Sequence, residues 1–195
     1  TLSKALSGTY NACLLAAQEF EGKMNIRVFD TQTVCFSEGL FALEASKMLK
    51  DGSSFDEIES KLTHMRDNNT IFFAVDSLSY LVKNGRLSGA AAFVGKLLKI
   101  KPILQVQDTG QIISIEKVRT IKSALSSIAN KVLAYANGRP FDAYILYTGN
   151  PSLKMHFLAS LKEELGIENL YESPSTPVVG GHVGPDVIGI GIFLK

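Results

Sequence analysis

The 195-residue sequence predicts an α/β chain in two parts: the remainder of a parallel α/β lobe over residues 1–70, then an α+β lobe with a mixed sheet over residues 71–195. Three observations carry this reading. Extended and helical patterns alternate before residue 70. Two extended runs flank Asp108-Thr109-Gly110, a hairpin signal that demands antiparallel strands, because glycine accepts the positive φ such loops require. TIFFAVDSL reads as a buried strand, and VIGIGIF alternates as a strand in a close-packed sheet would. No low-complexity linker separates the parts, and no internal repeat is legible.

Taken in order, the first helix is marked by Tyr10, Cys13, Leu14, Ala17 and Phe20 at helical spacing, with Ser7 as N-cap and Gly22 at the C-terminal cap. Residues Ile26 to Asp30 have extended character. Ser37 starts a second helix through Leu40, Phe41 and Met48, closed near Gly52. Ser54 and Glu57 form a capping box, and Phe55, Ile58, Leu62 and Met65 give the third helix its buried face. After the strand at TIFFAV comes a short amphipathic turn, LSYLVKNG, and Ser88 caps an alanine-rich helix. The hairpin follows. Thr120 then opens a long helix with Ala124, Leu125, Ile128, Val132 and Tyr135 on one face. FDAYILYTG is a strand, Asn150-Pro151 caps a helix ending at Gly166, and the tail reads as strand, glycine-rich turn and final strand.

Composition bounds the function. A chain with 46% apolar residues can bury a sizeable core. A net charge of +1 lacks the basic footprint of a dedicated nucleic-acid binder, so no nucleic-acid partner is expected. Cys13 and Cys35 make neither a disulfide framework nor a zinc site and read as buried structural thiols. No signal peptide or long uncharged apolar run is present, which points to the cytoplasm.

Four places concentrate polar chemistry outside the periodic segments. SKALSGT puts hydroxyls and free N–H groups at a helix start, which suits an anion or simply caps the helix. Arg86 in NGRLS offers a fixed fork of donors for a carboxylate or phosphate, or is a solvated surface residue. His182 in GGHVG meets a ligand or is an ordinary exposed histidine. Asp76 and Ser77 end a buried strand, where either a site or a cap is expected. His64 and His156 read as surface or packing residues. There is no metal-ligand spacing, Walker loop, dinucleotide fingerprint or nucleophile elbow.

Five ordered blocks, LSGTYN, VFDTQTV, FFAVDSLSYLVKNGRLSGAAAFVGKLLKIKPIL, EKVRTIKSAL and GGHVGPDVIGIGIF, resemble the DegV family of bacterial fatty-acid-binding proteins across the whole chain. LVKNGRLS leading into LLKIKPIL is the most specific. The resemblance implies a two-domain protein of the EDD fold, with one long-chain fatty acid in a cleft between the lobes. It implies a carrier that presents the carboxylate to the catalytic subunit of a separate fatty acid kinase, which makes acyl phosphate for phospholipid synthesis. The carrier is then no enzyme, takes no cofactor beyond the bound fatty acid, and touches a membrane surface transiently. DegV-like proteins extend further at the N-terminus, so the sequence reads as N-terminally truncated. Ser3 matches the family's carboxylate-binding serine, with Ser7 as its close alternative; Arg86 and His182 match the basic residues near the head group.

The family turn is commonly Gly-Thr-His-Thr-Gly-Pro-Gly, whereas Gly181, Val183 and Asp186 stand here, two hydroxyl donors fewer. That departure leaves fatty-acid binding without phosphate handling, or an altered ligand, open. A dry slot would gain about 0.8 kcal/mol per buried methylene, and its carboxylate end needs partners such as SKALSGT and Arg86 supply. Phe41, Phe72, Phe73, Phe93 and Leu97 are candidates for lining the slot or for plain core packing. Two other readings stay open: a hydrolase or phosphotransferase with His182 as base, and a non-lipid interaction module.

Overall fold

A computed structural model describes residues 1–89, 100–149, 161, 165, 167 and 170–195. The helices are α1 (Thr9–Gln18), α2 (Phe36–Lys50), α3 (Phe55–Asp67), α4 (Ser79–Lys83), α5 (Ile121–Ala136) and α6 (Pro177–Val183). The strands are β1 (Asn69–Ala74), β2 (Lys101–Val106), β3 (Ile112–Val118), β4 (Phe141–Tyr147), β5 (Leu170–Pro174) and β6 (Ile188–Leu194). They form one mixed sheet in the order β3-β2-β1-β6-β4-β5. β4 and β5 run parallel, and the other pairings are antiparallel.

Every residue of β1 is buried, because apolar layers cover both faces of the sheet. On one face Phe72, Ile103, Ile145, Ile190 and Ile192 meet Ala124, Ile128 and Val132 of α5. That helix is the one Thr120 was expected to open, and the Thr120 hydroxyl accepts from Ser123 N at 3.1 Å. On the other face Ile71, Phe73, Leu104, Val106, Tyr144 and Leu146 pack with Leu81, Leu87, Val183 and Val187. The alternation in VIGIGIF now has a reason. Its isoleucines feed the α5 side, while a Cβ on Gly191 would lie 2.0 Å from the Tyr144 ring and one on Gly189 would lie 2.4 Å from Phe73 Cβ. Only hydrogen side chains let those two aromatic residues cross the strand.

The hairpin forms as expected. Gln107 N donates to Gln111 O at 2.9 Å, and Gly110 closes the loop at φ +75°. The capping box at Ser54 is complete, with both reciprocal hydrogen bonds present. The alanine-rich helix after Ser88 and the Asn150-Pro151 cap lie outside the described residues.

Four expectations are corrected. Residues 26–30 are extended but join no sheet among the described residues. Thr1 N donates to Phe29 O at 2.9 Å and Thr31 N donates to Thr1 O at 3.1 Å, the bonding of two parallel neighbours, but Gln32 at φ 51° breaks the regular spacing, and the next bond runs from Ser3 N to Thr33 O at 2.9 Å rather than to Thr31 O. Second, α1 begins at Thr9: the Ser7 hydroxyl accepts from Thr9 N at 3.2 Å but makes no N-cap to the first turn, and no residue of the helix is buried. Third, Cys13 and Cys35 are only partly covered rather than buried. Fourth, the tail carries its strand earlier, at β5, and TPVVGGHV is helical. The Thr176 hydroxyl accepts from Val179 N and Pro177 occupies the first helical turn, an N-terminal signature that outweighs the strand preference of the valines.

Candidate functional site

On the sheet face opposite α5 lies a cavity of about 140 Å³ with apolar walls. Ile71, Phe73, Val106, Ile112 and Leu146 form its floor, and Leu81, Val179, Val183 and Val187 close it from above. Leu2, Leu6, Ser7, Val34 and Cys35 come from the first part of the chain. Four polar side chains besides the Cys35 thiol interrupt this lining: Ser7, Arg86, Ser175 and His182.

Hydrogen bonds hold three of these four polar residues around one end. Arg86 Nε donates to Leu6 O at 3.1 Å, next to Ser7, and its Nη1 donates to Asn84 O. The Asn84 amide in turn donates to Tyr80 O at 2.9 Å and to Gly181 O at 3.2 Å, next to His182. The arginine is thereby fixed between the loop that carries Ser7 and the helix that carries His182. Its fork has five N–H donors, so donors remain for a carboxylate after Leu6 and Asn84 are served. Ser7 Oγ accepts from Thr9 N and shares a hydrogen bond of 2.9 Å with Thr9 Oγ1, an arrangement in which its own O–H can turn to a ligand. His182 Nδ1 and Ser175 Oγ are buried atoms with no hydrogen-bond partner among the described residues. Buried polar atoms are ordinarily paired, so two orphans on one apolar cavity mark a ligand-shaped place.

Ser3 is elsewhere. It is fully buried, its Oγ donates to Gly110 O at 2.9 Å and accepts from Ala5 N at 3.1 Å, and it is absent from the cavity wall. Of the apolar candidates, Phe73 lines the cavity. Phe72 points into the α5 side, and Phe41 stacks with Phe29 and meets Phe193 at a tilt in a small cluster of its own. Phe93 and Leu97 lie outside the described residues, as does His156. Asp76 pairs with Lys101, Ser77 Oγ accepts from Ser79 N at 3.1 Å and donates to Ser79 Oγ at 2.9 Å without capping the helix, and neither residue is on the wall. His64 is on an exposed helix surface beside Asn68.

Ser175 and Cys35 were missed in the sequence. Neither sits in a motif, and each reaches the wall only through tertiary placement: Ser175 through its N–H bond to Tyr147 O at 2.9 Å, Cys35 through a backbone φ of 65°. Burial pushes the Cys35 thiol up to about 12, with Glu38 adding in the same direction, so the thiol is neutral and adds no charge to the cavity. Among the described residues no group of His, Cys, Asp and Glu could hold a metal ion, and no helix is long and apolar enough to cross a membrane.

Known proteins share this architecture. The profile described as "Uncharacterised protein, DegV family" matches residues 1–195. Protein DegV of Bacillus subtilis is 34% identical over 191 residues, which cover 97% of this chain and 67% of that protein. Its crystal structure, described as that of a fatty acid binding protein, superposes with a TM-score of 0.85 over 100% of this chain and 69% of that chain. A fatty acid binding DegV family protein from Streptococcus agalactiae gives a TM-score of 0.90 at 27% identity, covering 99% of this chain and 68% of its own. A stearic acid-binding protein from Eubacterium ventriosum gives 0.87 at 27% identity, covering 100% and 69%. The chain thus spans about two thirds of the length of these relatives.

Proposed function

The chain belongs to the DegV family, and from that premise we propose that it is a carrier for a long-chain fatty acid. The acyl chain occupies the apolar cavity, and its carboxylate meets Ser7, Arg86 and His182. One observation carries this reading: an apolar cavity with an arginine on its wall, held in place through Leu6 and Asn84, beside a buried histidine nitrogen with no partner among the described residues. Each buried methylene contributes about 0.8 kcal/mol, while an ion left unpaired in such a slot would be far more costly than a paired one. The arginine fork, a hydroxyl and an imidazole supply the donors that make burial of a carboxylate tolerable.

In this reading residues 1–70 and 71–195 are two lobes that share the ligand. Both contribute to the wall, Leu2, Leu6, Ser7, Val34 and Cys35 from the first and the remainder largely from the sheet and α6. The chain works in the cytoplasm and supplies binding and orientation, and the catalytic subunit of a fatty acid kinase supplies ATP chemistry. A general-base role for His182 lacks support, because an imidazole base needs a partner that orients it and Nδ1 has none among the described residues. The test is reconstitution with ATP and such a kinase subunit. Acyl phosphate should form from palmitate only when this chain is present, and should fall at least tenfold with Arg86→Met. Equal turnover with and without the chain would overturn the presenting role.

A further inference from the structure

Ser175 is not needed by the carboxylate, and its place in the fold gives it a different task. The cavity floor runs across the sheet from Ile112 on β3 through Val106 and Phe73 to Leu146 on β4. The strand order puts four inter-strand steps between β3 and β4, about 19 Å at some 4.8 Å per step. Arg86 belongs to the β3 end, since Ser88 N, two residues on, donates to Ile112 O at 2.9 Å. Ser175 belongs to the β4 end, since its N–H donates to Tyr147 O at 2.9 Å. His182 stands at the Arg86 end through Gly181 and Asn84, and the six residues between it and Ser175, most of them helical, set the two about 10 Å apart at some 1.5 Å rise per residue. The cavity therefore has polar groups at both ends: an ionic-type end and, about 10 Å beyond its histidine, a hydroxyl whose oxygen is buried with no partner among the described residues.

We propose that Ser175 makes the cavity select acyl chains that carry an oxygen function, a hydroxyl or keto group, remote from the carboxylate. The inference rests on the fatty-acid reading and refines its ligand class. A plain hydrocarbon end packed on Ser175 Oγ leaves that hydroxyl desolvated and unpaired, whereas an oxygenated end exchanges a hydrogen bond with it; sites built around a buried polar group discriminate against analogues that lack the partner.

The experiment is a titration of the lipid-stripped chain with palmitic acid and ω-hydroxypalmitic acid, in wild type, Ser175→Ala and Arg86→Met. The wild type should prefer the hydroxy acid by about tenfold or more. Ser175→Ala should erase that preference, chiefly by tightening palmitate, while Arg86→Met should weaken both acids alike and keep the ratio. An unchanged ratio in Ser175→Ala, or a wild-type preference for palmitate, overturns the inference and leaves the carrier reading standing. If neither acid binds the wild type, the carrier reading itself falls and the inference with it. Circular dichroism and the melting temperature of Ser175→Ala, expected to match the wild type, guard against a folding artefact.

Discussion

The Ser3 hydroxyl donates to the Gly110 carbonyl at 2.9 Å, tying the first residues of the chain to the β2–β3 hairpin 107 positions away. The contact is tight enough that a Cβ on Gly110 would lie 2.1 Å from Ser3 Oγ and 3.1 Å from the Gln32 backbone. It anchors the loop that continues through Leu6 and Ser7 to the cavity wall. Ser3 thus holds that loop from behind, and Ser7 lines the cavity.

Gly110→Ala should be destabilising by about 1–3 kcal/mol, because the new methyl overlaps Ser3 and the backbone must keep a positive φ. Ser3→Ala, which loses only the hydrogen bond, should cost about 1 kcal/mol. Denaturant unfolding of both variants checks the order. Equal, negligible effects would mean that the N-terminal residues are not held to the hairpin.

Gly191→Ala should be as damaging, for a different reason. The Tyr144 ring crosses Gly191 and cannot swing aside, since its hydroxyl is bonded to Ser37 Oγ at 2.5 Å, and Ser37 is also held by Asn69 Nδ2 at 3.1 Å. Overpacking of this kind typically costs about 1–3 kcal/mol, and a shift in melting temperature measures it.

Alkali should unfold the protein earlier than its carboxylates and lysines alone would dictate. Burial raises the Cys35 thiol from 9.0 to about 12, and burial likewise holds the Tyr144 phenol above its ordinary value. Both groups are acids whose folded pKa is raised, so their unfolded forms release protons first. Stability is full below pH 9 and is lost as pH climbs from 9 towards 12. Cys35→Ala should flatten the early part of that decline in a stability profile against pH, and at neutral pH its folded thiol should react with an alkylating reagent far more slowly than that of Cys13.

Arg86→Met should weaken long-chain fatty acid binding by about 10–100-fold, the loss expected when charge-assisted hydrogen bonds are removed at about 1.5–3 kcal/mol. Arg86→Lys should recover little, because a single ammonium cannot serve Leu6 O, Asn84 O and a carboxylate with the same fixed geometry. Displacement of a fluorescent fatty acid reads both.

Much of this was legible before the structure. The DTG hairpin, the Ser54 capping box, the Thr120 cap and the buried TIFFAV strand follow from local rules, and local rules suffice where a residue bonds within a few positions of itself. Arg86 and His182 were marked by lying among glycines outside any periodic segment. Which of Ser3 and Ser7 lines the cavity was not legible, because it turns on a hydrogen bond across 107 positions. Nor was the placement of Phe72 and Phe73. Adjacent strand residues face opposite layers, and which layer holds the cavity depends on where α6 and the N-terminal loop settle. The Pro177 helix was readable from Thr176-Pro177 but was masked by the valines and glycines that follow.

The most direct test of the carrier reading is mass spectrometry of organic extracts from the chain purified from bacterial cells without detergent, with Arg86→Met prepared in parallel. The cavity and its arginine predict a long-chain fatty acid approaching one per chain in the wild type and sharply less in the variant. A wild-type chain that carries no lipid and takes up none on titration would contradict the account.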